Sequence, residues 1–211
     1  FDHLFIKDGL PEGTVTTMIQ DKEGYIWIGT QKGLVRYDGY TPKVYMLGIN
    51  TNYVLIISKI YQDSQDRIWV GKFNTGLYLY DRSNDRFVQY ILDSTKTNPY
   101  SISGTTPFIT NIYDDQKGNL WVTTSDWLGT GNSPWTFSLY KLNLKTNKVE
   151  RYGKKEKNSH YVNTYRFYDL FTDNKGQLWV TTDNGLFKYN EQTAQFEQPS
   201  VAFNSHGKSG L

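Results

Sequence analysis

Apolar and polar residues alternate with a period of two in short stretches, and Gly, Asp and Asn punctuate them. No segment shows the 3.6-residue apolar spacing of a helix. The alternation recurs in four places: Val15–Thr30 (VTTMIQDKEGYIWIGT), Ile57–Lys72 (ISKIYQDSQDRIWVGK), Ile109–Thr124 (ITNIYDDQKGNLWVTT) and Phe167–Thr182 (FYDLFTDNKGQLWVTT). Each is followed by a second apolar stretch, Gly33-LVRYD, Gly76-LYLYD, Ser138-LYKLN or Gly185-LFKYN. Trp27, Trp69, Trp121 and Trp179 mark the register at intervals of 42, 52 and 58 residues.

Every repeat predicts four strands. The first, with Val15, Met18 and Ile19 and their equivalents, has the β-branched and apolar character of a buried strand. An Asp-initiated turn follows at Asp21, Asp63, Asp115 and Asp173, with Gly24, Gly118 and Gly176 supplying positive φ and Asp66 in that place in the second repeat. The next strand carries Ile26 and Ile28 on one face and Trp27 on the other, as in a sheet sandwiched between neighbours. A third strand ends at Tyr37, Tyr80 or Tyr189, and a weaker fourth runs through Lys43-Val-Tyr, Phe87-Val-Gln-Tyr, Val149-Glu-Arg-Tyr and Gln195-Phe-Glu. Four antiparallel strands in roughly 42 residues is the arithmetic of a propeller blade, so the fold expected is an all-β β-propeller.

The expected organisation is an N-terminal strand at 1–13 and blades at 14–50, 51–92, 93–153 and 154–198, then a linker or tail at 199–211. Blade three carries an insertion at 125–137. Phe1–Phe5 resembles the outer strand of a blade whose other strands lie elsewhere, which predicts four blades of a larger ring. An open array of this kind exposes strand edges and an apolar blade face, which favours a homo-oligomer.

Composition narrows the chemistry. The 211 residues carry 23 basic and 21 acidic side chains, a net charge of +2, so no basic surplus points to a nucleic-acid partner. Cysteine is absent, which excludes disulfides, thiolate metal sites and cysteine nucleophiles. The longest apolar run, Val54–Ile57, is strand-sized and too short to span a membrane. The chain opens at Phe1-Asp2-His3, as a processed or trimmed product would. Aromatic residues make up 16% of it, in keeping with a β-rich protein.

The pattern D-x-x-G-x-[IL]-W-[IV]-[GT]-T followed by G-L-x-[RK]-Y-[DN] resembles the two-component regulator propeller repeat, over roughly residues 1–198. Phe1-DHLFIKDGLPEGTV is similar to the start of such sensors. Departures are Lys72 for Thr, Asp66 for Gly and the enlarged third repeat. The resemblance implies about seven blades and a periplasmic sensor region of a hybrid two-component histidine kinase. The membrane span and the kinase of such a protein lie outside this segment. It further implies a ligand derived from glycan breakdown.

Catalytic signatures are missing. His3, His160 and His206 lie apart with no carboxylate at ligand spacing, and the Asp turns lack the alternating ligands of a calcium loop, so neither metal nor cofactor is expected. Sialidase Asp-boxes place one residue between Asp and Gly, whereas two intervene here; the enzyme reading ranks below a sensor or a protein-binding scaffold. The segment Ser125-DWLGTGNSPWTF breaks the repeat and carries two off-register tryptophans. Trp127, Trp135, Asp126 and Asn132 are therefore the candidate ligand residues, joined by Tyr100 and Tyr161 on the other long connections. Covering the edge of an oversized hairpin is the competing role for both tryptophans. Trp27, Trp69, Trp121 and Trp179 are expected to be core.

Overall fold

Each repeat folds into one antiparallel sheet because its turns close in the same way. In the computed structural model, residues 6–48, 55–73, 75–90, 108–127, 135–153, 160–161 and 166–199 are described, with backbone alone at 126–127, 135–136, 153 and 160–161. Blade 1 comprises β1 (Val15–Gln20), β2 (Ile26–Thr30), β3 (Gly33–Tyr37) and β4 (Pro42–Tyr45). Blade 2 comprises β5 (Ile57–Gln62), β6 (Ile68–Lys72), β7 (Gly76–Asp81) and β8 (Arg86–Gln89). Blade 3 holds β9 (Phe108–Asp114), β10 (Asn119–Trp127), β11 (Trp135–Asn143), β12 (Val149–Gly153) and a short β13 (His160–Tyr161). Blade 4 holds β14 (Phe167–Thr172), β15 (Leu178–Thr182), β16 (Gly185–Asn190) and β17 (Gln195–Glu197).

Within every blade the strands pair in chain order, and the first strands of successive blades adjoin: β1 with β5, β5 with β9, β9 with β14. This is the blade array of a β-propeller. The short β13 falls inside the segment read from sequence as part of the fourth repeat, yet it pairs in parallel with β12.

The first turn of each blade is built around one carboxylate. Asp21 Oδ1 accepts the backbone N–H groups of Glu23 (3.0 Å) and Tyr25 (2.9 Å), while Oδ2 accepts the Trp27 indole N–H at 2.7 Å. Asp63, Asp115 and Asp173 repeat the arrangement, with indole distances of 2.7, 3.0 and 2.9 Å. Gly24, Gly118 and Gly176 take positive φ there, and Asp66 does so in blade 2 at 62°. One carboxylate thus closes the hairpin and satisfies the only polar atom of a ring that must be buried.

Three of the four repeat indoles pack into the following blade. Trp27 lies among Ile57, Ile60, Tyr78 and Tyr80, Trp69 among Ile109, Ile112, Val122 and Tyr140, and Trp121 among Phe167, Leu170, Val180 and Tyr189. All three rings are 0% exposed. Removing roughly 200 Å² of ring from water stabilises each junction by about 5 kcal/mol as an upper figure. Blades 1, 2 and 3 approach closely because Gly29 and Gly71 face the next blade's first strand. A Cβ on Gly71 would sit 2.7 Å from Ile109 Cβ.

Two expectations fail at the ends of the array, for one reason. Met18 is 69% exposed and Val15 46%, although their equivalents Ile60 and Ile57 are buried. Trp179 is only half-buried and stacks on exposed Phe171, with ring centroids 6.4 Å apart. These residues occupy junction positions where no described blade lies alongside. On blade 1, Leu10 covers part of that face by packing on Ile28 and Val35.

Candidate functional site

The departure of blade 3 from the common pattern can be counted in rungs. Pairing between the second and third strands ends at Thr30↔Gly33, Lys72↔Gly76 and Thr182↔Gly185 in blades 1, 2 and 4. In blade 3 the equivalent rung, Thr124↔Ser138, is followed by Ser125↔Phe137, Asp126↔Thr136 and Trp127↔Trp135. The hairpin therefore rises three rungs above the rim shared by the other blades.

That extension changes the local chemistry. At ordinary turns the Thr30 hydroxyl donates to Gly33 O (2.9 Å) and accepts Lys32 N–H (3.1 Å), and Thr182 does the same with Gly185 and Asn184. Thr124 has no turn to cap, and its buried hydroxyl lacks a partner among the described residues. In blade 2 the position is Lys72, whose Nζ donates to Leu47 O at 2.5 Å; burial lowers the pKa of this ammonium.

At the base of the raised hairpin lies a pocket of about 440 Å³. Three of its residues form one cross-strand row: Phe108 on β9, Ser125 on β10 and Phe137 on β11. Ile56 and Phe73 close it from blade 2, and Arg166 from the approach to blade 4. Phe73 meets Phe108 edge-on with ring centroids 5.5 Å apart. The Arg166 guanidinium carbon lies 5.6 Å from the Phe137 ring centre. Arg166 N–H donates to Asp183 Oδ1 at 3.1 Å, fixing the segment that carries it. All three phenyl rings are half-buried and can take up further apolar surface.

Other polarised groups lie away from this pocket. Between blades 1 and 2, hydrogen bonds from Lys43, then Tyr45 and Tyr80, hold the Asp85 carboxyl well below the usual carboxylate range. Arg36 joins the cluster at 3.4 Å. Burial, followed by the bond to Asp85, pushes the Tyr45 hydroxyl up. Between blades 3 and 4, burial and then Tyr189 raise the Tyr152 hydroxyl. These groups join blades, and their hydroxyls stay protonated. A groove of about 760 Å³ on blade 4 is lined by Trp179, Lys188 and Tyr189, the uncovered counterpart of the junctions elsewhere.

The candidates from sequence scatter. Asp126 and Trp127 stand on the rising strand of the hairpin, and Trp135 is the direct backbone partner of Trp127. Tyr161 is on β13 at the outer edge of blade 3, two strands from β11. Tyr100 and Asn132 lie outside the described residues. Phe73, Phe108, Phe137 and Arg166 escaped sequence reasoning, because they converge from three blades. The usable signal was the row of 108, 125 and 137, which needs the register of three strands. Among the described residues, no group of three or more His, Asp or Glu is arranged to hold a metal, and no helix is long and apolar enough to cross a membrane.

Comparison with known proteins places these features. The family model of the two component regulator propeller matches residues 9–32 and 103–126. Histidine kinase P4 of Formosa agariphila is 47% identical over 38 residues, which are 18% of this chain and 3% of the kinase. A solved structure described as the extracellular domain of a hybrid two component system from B. thetaiotaomicron is 22% identical, with TM-score 0.50, over 93% of this chain and 31% of that one. Virginiamycin B lyase from Staphylococcus aureus is 14% identical, with TM-score 0.59, over 93% of this chain and 59% of the lyase. The chain thus spans less than two thirds of each relative, and the two structural likenesses share its propeller fold. Two segments of the chain, 9–32 and 103–126, are similar to the two component regulator propeller repeat.

Proposed function

We propose that this chain is a non-catalytic, extracytoplasmic sensor propeller that binds a glycan-derived ligand on the rim raised by blade 3 and passes the signal to a kinase in another part of the protein. The observation that carries this reading is the match of segments 9–32 and 103–126 to the two component regulator propeller. The short, close likeness to a histidine kinase supports it. Geometry supports it too: stiff, repeated Trp–Asp junctions hold one hairpin three rungs above its neighbours, as a rigid scaffold presents a binding loop. Such a module acts by differential affinity, the ligand favouring one of two arrangements of the assembly. The lyase likeness shows fold alone and supports no second reading.

Calorimetric titration with oligosaccharide fractions tests the proposal. Saturable binding that drops at least tenfold in Trp127→Ala or Trp135→Ala is expected, since aromatic anchors at a site centre are each worth about 1.4 kcal/mol or more. Unchanged affinity in both variants, or no binding by any fraction, would sink it.

A further inference from the structure

The three blade junctions of this chain obey one pairing rule, and that rule specifies what fits the open face of blade 4. We infer that this face receives a further propeller blade whose third strand ends in tyrosine, with an acidic residue two positions beyond it.

One half of the rule lies opposite each indole. Trp27 faces Arg36 across the ladder, Trp69 faces Leu79, Trp121 faces Lys141 and Trp179 faces Lys188. Where that position is a cation, the next blade supplies a tyrosine. Arg36 Nη1 donates to Tyr80 Oη at 2.6 Å, and Lys141 Nζ donates to Tyr189 Oη at 3.0 Å. Where it is Leu79, the matching position of the next blade is Leu142, and both belong to one apolar cluster. A cation held above a covered indole needs an acceptor. Lys188 therefore calls for the tyrosine.

The other half is charge at the turns. Two residues beyond the turn aspartate stand Glu23, Gln65, Lys117 and Lys175. Two residues beyond Tyr80, Leu142 and Tyr189 of the next blade stand Arg82, Leu144 and Glu191. Glu23 pairs with Arg82 at 2.5 Å and Lys117 pairs with Glu191, while Gln65 and Leu144 are both uncharged. By the same match Lys175 calls for an acid.

The face is ready for such a partner. Lys175 and Lys188 both line the groove of about 760 Å³, and among the described residues their ammonium groups make no hydrogen bond or ion pair. Phe171 and Leu186 lie exposed, although their counterparts Ile19 and Leu34 pack into the first junction. Tyr45, Tyr90 and Tyr152 lie against the indole of their own blade, with ring centroids 5.0–5.7 Å apart. Continuing the blade 4 ladder two residues past Glu197 puts Pro199 in that place, so covering Trp179 falls to the incoming blade. A second copy of this chain matches less well. Its blade 1 has Tyr37 but Gly39 where the acid belongs. Leu10 also packs already on Ile28 and Val35, the positions that in blade 2, as Val70 and Tyr78, cluster with Trp27. Blade 4 itself, with Tyr189 and Glu191, carries both marks.

The test has two arms. In the 211-residue chain, Lys117→Glu and Glu191→Lys should each raise the unfolding equilibrium constant about two- to fivefold, and the double variant should recover most of the loss. Lys175→Glu should change little there. In the second arm a copy of residues 154–200 is inserted after Ser200, in phase because Pro199 takes the place of Tyr152. Fluorine NMR of protein labelled with 5-fluorotryptophan, assigned with Trp179→Phe, should show the original Trp179 shielded from solvent and the copied one exposed. Lys175→Glu in the original blade should now cost about two- to fivefold, and Glu191→Lys in the copy should restore it. Three results would each overturn the inference: an original Trp179 as exposed as in the parent chain, a Lys175→Glu loss that the copied Glu191→Lys leaves unchanged, or an uncoupled Lys117–Glu191 pair. Self-association of the parent chain that buries Trp179 would also overturn it, since a second copy would then be the occupant. Sugar binding is read in neither arm, so this proposal and the sensor reading can fail separately.

Discussion

Replacing Asp115 probes the device that every blade shares. Its side chain accepts the backbone N–H groups of Lys117 (2.8 Å) and Asn119 (3.1 Å), the Asn119 side-chain amide (2.8 Å) and the Trp121 indole N–H (3.0 Å). In Asp115→Ala the exposed turn can turn to water, at a cost of about 0.5–1 kcal/mol. The indole cannot, because Trp121 is 0% exposed, and its orphaned N–H costs about 1–3 kcal/mol more. The expected loss is about 1.5–4 kcal/mol, or about 0.8–2 M in urea midpoint at a slope of about 2 kcal/mol/M. Asp115→Asn keeps one acceptor for the turn but presents its amide N–H₂ where Oδ2 accepted the indole and the Asn119 side-chain amide, so it should lose those two bonds and keep the backbone ones. Asp173→Ala is the control: Trp179 is only half-buried, water reaches it, and the midpoint should move less. Urea unfolding followed by tryptophan fluorescence and far-ultraviolet circular dichroism reads all three. A shift in Asp173→Ala as large as that in Asp115→Ala would refute the reasoning, as would no shift in Asp115→Asn.

Gly71→Ala should lower stability by about 1–3 kcal/mol through overpacking, since its Cβ would meet Ile109 Cβ at 2.7 Å; Ile109→Ala in the same chain should recover part of the loss, and strictly additive losses would contradict the contact. Asp85 has its carboxyl pKa depressed, chiefly by Lys43, so its contribution is present above the unfolded value near 4 and is lost as pH falls. Asp85→Asn should therefore be less stable than the parent at pH 7, with the gap closing under acid; a gap constant with pH would count against this. Lys72 is a buried ammonium, lowered in pKa by desolvation, and no ion pair reaches it among the described residues. Lys72→Met should hold or raise the thermal midpoint, and a clear drop would show that the bond to Leu47 outweighs the desolvation.

Much of this fold was legible because the repeat speaks four times. The spacing of Trp27, Trp69, Trp121 and Trp179, with Gly or Asp at one turn position, led to four-stranded sheets, and the structure has them. The second job of Asp21 and its equivalents was not legible. A local reading of Asp-x-x-Gly ends at the backbone, whereas the indole acceptor needs a side chain six residues on, brought back by the hairpin. Burial of Met18 was misjudged because a strand's pattern says which face is apolar, not whether a neighbour covers it. The pocket was hidden for a third reason. Phe73, Phe108 and Arg166 are far apart in sequence, and only the longer ladder of blade 3 sets Phe137 opposite Ser125.

The most direct test of the sensor account is to sequence the coding region on both sides of residues 1 and 211. The account predicts further propeller repeats, a membrane-spanning helix and a histidine kinase in the same reading frame. A stop codon immediately after Leu211, with no kinase in frame, would contradict it.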